Sequence, residues 1–130
     1  MVFLLLFLYD ILYFFVIIIA FPAAVFFPKI RMPYFKRFGV NLKTHKWRLK
    51  NSKAKVASIH CASYGEYEHI KPFIRELKKQ KPDYKICVQF FSASGYNNVS
   101  DPEYIDLKVF TPFDLFFSQL IFFNILKPQF

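Results

Sequence analysis

Val56-Ala57-Ser58-Ile59-His60-Cys61-Ala62-Ser63-Tyr64-Gly65-Glu66 leads from a short apolar, partly β-branched run through small residues to a carboxylate. Residues 56–61 read as a strand. Beyond Glu66, Ile70, Phe73, Ile74 and Leu77 stand at i, i+3, i+4 and i+7, the spacing of one buried helix face. Glu66 therefore stands where a strand turns sharply into an amphipathic helix. Ligands of open α/β sheets gather at the carboxyl ends of strands, so a carboxylate held there by a glycine turn at Gly65 is a candidate functional group. A structural role competes with this, since an acid in a first helical turn also offsets the helix dipole.

Working outward, further strands are expected at 84–91 and 107–111, helices at 65–79 and 113–126, and a short helical turn at 96–99. Strands alternating with helices imply right-handed crossovers and a parallel sheet covered by helices. The fold class is thus α/β, half of a Rossmann-like domain, with a small sheet that keeps an unpaired edge. Phe116, Phe117, Phe122 and Phe123 make the last helix apolar on more than one face and predict an exposed apolar patch.

Residues 1–27 carry one charge, Asp10. At ~1.5 Å per helical residue they exceed the ~30 Å hydrocarbon thickness of a bilayer. No Lys or Arg precedes the apolar run and Phe26-Phe27 closes it, unlike a cleaved secretory signal, so the segment reads as a membrane-anchor helix. Asp10 would cost on the order of 3 kcal/mol in mid-bilayer, which leaves a tilted or part-inserted helix open. Pro22 marks a kink or the helix end. The competing reading is the core helix of a soluble protein.

Residues 28–55 hold ten of the eighteen basic residues, and no acid occurs between Asp10 and Glu66. This stretch reads as a basic juxtamembrane linker, and residues 56–130 as a partial Rossmann-like domain. Positive charge beside an apolar span places the C-terminal portion of the chain on the cytoplasmic side of a membrane. Bases there attract anionic lipid at ~1 kcal/mol each, so the patch is either a lipid-holding surface or a topology signal alone. Tyr34, Phe35, Phe38 and Trp47 among the bases suit nucleic acid as well, but the adjoining anchor argues against that partner.

Other chemistry finds little footing. Adjacent strand residues point to opposite faces, so His60 and Cys61 do not make a nucleophilic pair. Cys61 and Cys87 lack metal-ligand spacing, and reduced thiols without a disulfide are expected. Ser92-Ala93-Ser94-Gly95 follows a strand and has backbone N–H groups to offer a phosphate or sugar, yet it lacks the glycine spacing and lysine of a P-loop, and a turn is its default. With no Gly-x-Gly-x-x-Gly and no histidine cluster, neither a cofactor nor a metal is expected.

His60-Cys61-Ala62-Ser63-Tyr64-Gly65-Glu66 resembles the His-Ala-Val-Ser-Val-Gly-Glu motif of the 3-deoxy-D-manno-octulosonic acid (Kdo) transferases, which add Kdo to the lipid A precursor of Gram-negative bacteria. Pro72, Ser92-Ala93-Ser94-Gly95 in place of Thr-Pro-Thr-Gly, Pro112-Phe113-Asp114 in place of Pro-Tyr-Asp, and Lys36-Arg37-Phe38-Gly39 before the motif fall in the same order. Cys61, Ala62 and Tyr64 depart from the pattern and leave its Ser, Gly and Glu in place.

The resemblance implies the acceptor half of a two-domain GT-B glycosyltransferase. In that family the donor CMP-Kdo is held mainly by a C-terminal domain, and a Trp-Pro-Asn segment and an assisting lysine lie further on. This chain carries none of these and reads as truncated, with Lys127-Pro128-Gln129-Phe130 similar to the lead into a next strand. By the same resemblance Glu66 is the general base, and Ser63, Gly65, Ser94 and Gly95 are acceptor-side residues. The implied partners are a lipid A precursor and anionic lipids at the cytoplasmic face of the bacterial inner membrane, with no nucleic acid. The half-domain alone would not catalyse. A membrane-tethered module that binds anionic lipid or a partner without catalysis is the alternative, and another glycosyltransferase of this architecture a third.

Overall fold

Strands of a sheet covered on both faces read as near-continuous apolar runs, and the three runs here behave that way. In a computed structural model describing residues 2–130, they form β1 (Lys55–Cys61), β2 (Tyr84–Phe90) and β3 (Leu107–Phe110), all parallel, in the order β1-β2-β3. Ser58 pairs with Cys87, and Gln89 with Val109. The helices are α1 (Val2–Phe26), α2 (Pro28–Phe38), α3 (Val40–Lys50), α4 (Tyr64–Gln80), α5 (Ala93–Asn98) and α6 (Phe116–Leu126).

Alternating strand residues feed two cores. Ala57, Ile59, Cys61, Ile86, Val88 and Phe90 meet Tyr67, Ile74 and Leu77 of α4 on one face of the sheet. Val56, Cys87, Leu107, Val109 and Phe110 meet Val40 of α3 and Phe122 and Leu126 of α6 on the other. The result is three layers, with a thin sheet between two layers of helices. At ~25 cal/mol per Å² of buried apolar area, each large side chain in these cores stabilises the fold by ~1.5–3 kcal/mol.

Two expectations need correction, and of the two readings of Pro22 the helix end falls. Phe73 is 54% exposed; the buried stripe of α4 runs through Tyr67, Ile70, Ile74 and Leu77, so the helix is rotated toward Tyr67, whose hydroxyl donates to Asp101 at 2.9 Å. Residues 28–55, expected as a basic linker outside the domain, contain two helices joined at Gly39, and α3 belongs to the body through the stripe Val40, Thr44 and Trp47. That i, i+4, i+7 pattern was hidden by the bases around it. Pro22 lies inside α1 without ending it.

α6 starts at Phe116, three residues later than expected, because Leu115 is extended (φ −105°, ψ 136°), and it ends at Lys127 in the left-handed conformation (φ 49°). It covers the face opposite α4. Successive right-handed crossovers in one direction put their connections on one face; a connection on the opposite face returns the chain the other way. Gln129 N–H donates to Val56 C=O and Ser58 N–H to Phe130 C=O, both at 2.8 Å, so the chain comes back to the outer edge of β1. A topological switch point therefore lies at β1, whose carboxyl end carries Glu66.

α1 is long and apolar enough to cross a membrane by length and composition and is almost wholly exposed. It leans on α2: Tyr34 donates its hydroxyl to Ile17 C=O at 2.8 Å and packs edge-on to Phe113, whose ring contacts Phe38 in turn.

Candidate acceptor-side site

The site begins with a helix cap. Ser63 is extended (φ −142°, ψ 174°) and its Oγ accepts from Glu66 N–H at 3.4 Å, while Glu66 Oε2 accepts from Ala62 N–H at 2.7 Å. This is a capping box, Ser-x-x-Glu, shifted by one residue on the reciprocal side: it satisfies one amide that the helix start leaves unpaired, Glu66 N–H, and one just before the cap, Ala62 N–H. Glu66 remains exposed, and its Oε1 has no hydrogen-bond partner among the described residues. The carboxylate is thus fixed in direction by one oxygen and free at the other.

Gly65 does not make the turn. No glycine here has positive φ, Gly65 lies within the first turn of α4, and a Cβ at that position would meet only Ser63 Oγ at 3.9 Å. The turn is made at Ala62 and Ser63. What Gly65 supplies is open space beside Glu66.

The second loop is tied directly to the first. Phe91 N–H donates to Cys61 C=O at 3.1 Å and Ser92 N–H to Ala62 C=O at 3.0 Å, so the β1 and β2 ends lie side by side. Ser92 to Gly95 is the start of α5 rather than an isolated turn, with Ser92 Oγ accepting from Gly95 N–H at 3.4 Å and lying 3.0 Å from Ser94 Oγ. Ser94 is exposed. Gly95 is buried, and a Cβ there would lie 2.3 Å from Phe90 Cδ1, so this glycine allows α5 to pack on β2 and presents no free group to a ligand. Of the acceptor-side candidates, Ser63, Gly65 and Ser94 share one end of the sheet with Glu66, while Gly95 sits behind it.

An open depression of about 370 Å³ adjoins Glu66, lined by His60, Cys61, His69, Ile70 and Phe73. His60 is exposed while Cys61 is buried, as strand alternation requires, and His60 Nδ1 is 3.1 Å from Thr111 Oγ1 beyond β3. Burial, with the Glu66 charge beside it, pushes the Cys61 thiol up to about 11; burial pushes Cys87 up to about 12. Neither thiol is a nucleophile at neutral pH. Among the described residues, no three His, Cys, Asp or Glu side chains are grouped to hold a metal ion.

Arg37 is a further residue of the site, one that its residue type and position do not single out. From the last turn of α2 it donates through Nη2 to Phe91 C=O at 2.7 Å, and its guanidinium lies 4.4 Å over the Phe91 ring. Burial lowers its pKa, yet a guanidinium keeps its charge at any working pH, so a cation stands beside the Ser92 loop. Its only trace in sequence is its place in Lys36-Arg37-Phe38-Gly39.

The model of the 3-deoxy-D-manno-octulosonic-acid transferase (Kdo transferase) N-terminal domain matches residues 34–130, from the middle of α2 to Phe130. The chain belongs to the Kdo transferase family. The matched span takes in the Arg37 helix turn, both loops at the carboxyl end of the sheet and α6, so the family's N-terminal domain includes α3 and does not begin at β1. Membership makes the chain glycosyltransferase-related and carries with it, in general, an acceptor of lipid A type. Comparison with curated proteins and with solved structures gives no match.

Proposed function

We propose that this chain is the acceptor-side, Rossmann-like part of an inverting GT-B glycosyltransferase that moves Kdo from CMP-Kdo to a lipid A precursor at the cytoplasmic face of the bacterial inner membrane. The observation that carries the reading is Glu66: an exposed carboxylate, half engaged and half free, at the carboxyl end of β1 beside the switch point of the sheet. A sugar hydroxyl is a weak nucleophile. A carboxylate within hydrogen-bond reach accepts its proton as the new bond to the anomeric carbon forms, typically contributing ~10²–10⁴-fold. The CMP phosphate leaves from the opposite face and needs no strong acid, the donor being held mainly by a second, donor-binding domain of such an enzyme; no cofactor takes part.

Ser63 orients Glu66 through the cap. Ser94, with Arg37 behind it, offers polar and cationic contact to an anionic acceptor, and the open space at Gly65 admits the acceptor to the carboxylate. Exposed Phe73 and half-buried Ile70 give the depression an apolar wall, which suits an amphiphile. On this reading the chain needs a donor-binding domain to turn over. The family membership and the Glu66 geometry favour it over a lipid-binding module without catalysis.

The test is transfer of Kdo from CMP-Kdo to a lipid A precursor by the product of the complete reading frame, with and without Glu66→Gln. Loss of transfer with Glu66→Gln supports the base. Undiminished transfer removes Glu66 from the mechanism, and absence of transfer by the unaltered product favours the binding module.

A further inference from the structure

α1 is apolar all round, yet only one stripe of it is covered. Asp10, Tyr13, Ile17, Ala20, Ala23 and Ala24 are the residues of α1 that lose exposure, and they recur every third or fourth position. Polar bonds fasten the same side. Tyr9 donates its hydroxyl to Asp114 Oδ2 at 2.7 Å, and Phe116 N–H donates to both Asp10 carboxylate oxygens, at 3.1 and 3.2 Å. Leu115, the residue before α6, has no capping side chain, so Asp10 caps α6 from another helix. The one charge of the apolar segment serves to dock it on the body.

From Tyr9 to Ala24 is ~22 Å at ~1.5 Å per residue, which leaves only ~10 Å of α1, residues 2–8, beyond the body. An upright crossing of a ~30 Å hydrocarbon layer would drag Asp114 and the non-helical backbone of residues 111–115 into lipid, where each unpaired polar group costs several kcal/mol. The outward side of α1 instead continues onto α6. Phe3, Leu6 and Phe7 line one apolar depression of about 180 Å³ with Phe116 and Phe117, and Leu120, Ile121 and Phe123 are exposed beyond it. α2 packs on α1 and α3 on α6, and these two helices carry exposed bases, Lys29, Lys46 and Lys50 among them, that are held in no ion pair among the described residues.

We propose that α1 does not cross the bilayer: it lies in the plane of one leaflet, docked on the body by Asp10 and Tyr9, and with the outer side of α6 forms a single apolar face inserted among anionic lipids. An apolar face whose packing helices carry exposed lysines outside any ion pair is complementary to a leaflet of anionic headgroups over acyl chains, whereas a second copy of this chain would bring like charges together. The body supplies what α1 lacks for an in-plane position, a polar side. The inference rests on the membrane association proposed above and fixes its geometry.

The test uses the full chain with one added thiol, Phe3→Cys or Lys46→Cys, both at exposed positions; Cys61 and Cys87 are buried. Flotation with phosphatidylethanolamine–phosphatidylglycerol vesicles is measured first. A membrane-impermeant maleimide is then applied to right-side-out and inverted membrane vesicles. Expected are flotation, labelling of Lys46→Cys from one side, and no labelling of Phe3→Cys from the other, whether it reacts from the Lys46 side or only after detergent. Labelling of Phe3→Cys from the side opposite Lys46→Cys, in a chain that floats, overturns the in-plane position and leaves membrane association standing. A chain that does not float overturns both, and one that dimerises instead in lipid-free buffer assigns the face to a second copy.

Discussion

Glu66 holds two roles that one substitution can separate. Glutamine at the third position of a capping box keeps an acceptor for Ala62 N–H, whereas alanine removes both cap and base. Glu66→Gln is therefore expected to lose ~10²–10⁴-fold in transfer at nearly unchanged thermal stability, and Glu66→Ala to lose the same activity and in addition ~1 kcal/mol of stability. Equal stability of the two variants would mean that the cap contributes nothing. Gly95 gives a second residue-scale expectation. A methyl group at 2.3 Å from Phe90 Cδ1 has no room, and Phe90 is fully buried, so Gly95→Ala should destabilise the chain by ~1–3 kcal/mol in thermal unfolding, while Gly65→Ala, with open space, should leave folding intact. Glu66 at a strand-to-helix turn could be read directly from residue types. The neutrality of Gly65 could not, because a glycine's φ is invisible in sequence and a helical first turn accepts glycine as readily as a sharp bend does.

Among the elements, α3 is the one whose role changed. Its Val40, Thr44 and Trp47 stripe is a core signal, but a segment this basic reads first as solvated. The cost of that composition shows at Thr44, whose fully buried Oγ1 has no hydrogen-bond partner among the described residues. Valine has the same shape without the hydroxyl. Thr44→Val is expected to raise stability by ~1 kcal/mol, which a linker residue would not do; a fall in melting temperature would place an unseen partner on the hydroxyl. α4 was legible because its apolar stripe is strong. Its rotation by one position was not, since Phe73 and Tyr67 compete for the same face and the choice depends on Asp101, far along the chain, meeting the Tyr67 hydroxyl.

At the scale of the whole molecule, layers and strand order follow from the alternation of apolar runs, and the three strands lie within one or two residues of their expected ends. The ties between distant segments follow from nothing local. Asp106 is the clearest of them. Burial pushes its carboxyl up, but Lys78 and Lys85, both at 2.8 Å, and the Ile86 N–H outweigh burial and hold it below the usual carboxylate range. A depressed folded-state pKa gives stability that is complete above the unfolded pKa, ~3.9, and is lost as pH falls through the folded value. Asp106→Asn should therefore lower stability at neutral pH, by ~1–3 kcal/mol, and flatten the acid limb of a stability–pH curve measured by denaturant unfolding. An unchanged acid limb would assign that limb to other carboxylates.

The bonds from Gln129 and Phe130 to the outer edge of β1 have a consequence for biogenesis. A ribosome releases β1 long before it releases the residues that cover it. At roughly 5–20 residues per second, the more than seventy residues between Val56 and Gln129 take about 4–15 s to emerge. Through that interval the nascent sheet shows a bare row of amide and carbonyl groups, while α1, made before it, would on the proposed membrane association have had time to find lipid. Delivery to a surface before the edge is sealed would keep neighbouring nascent chains from pairing along it.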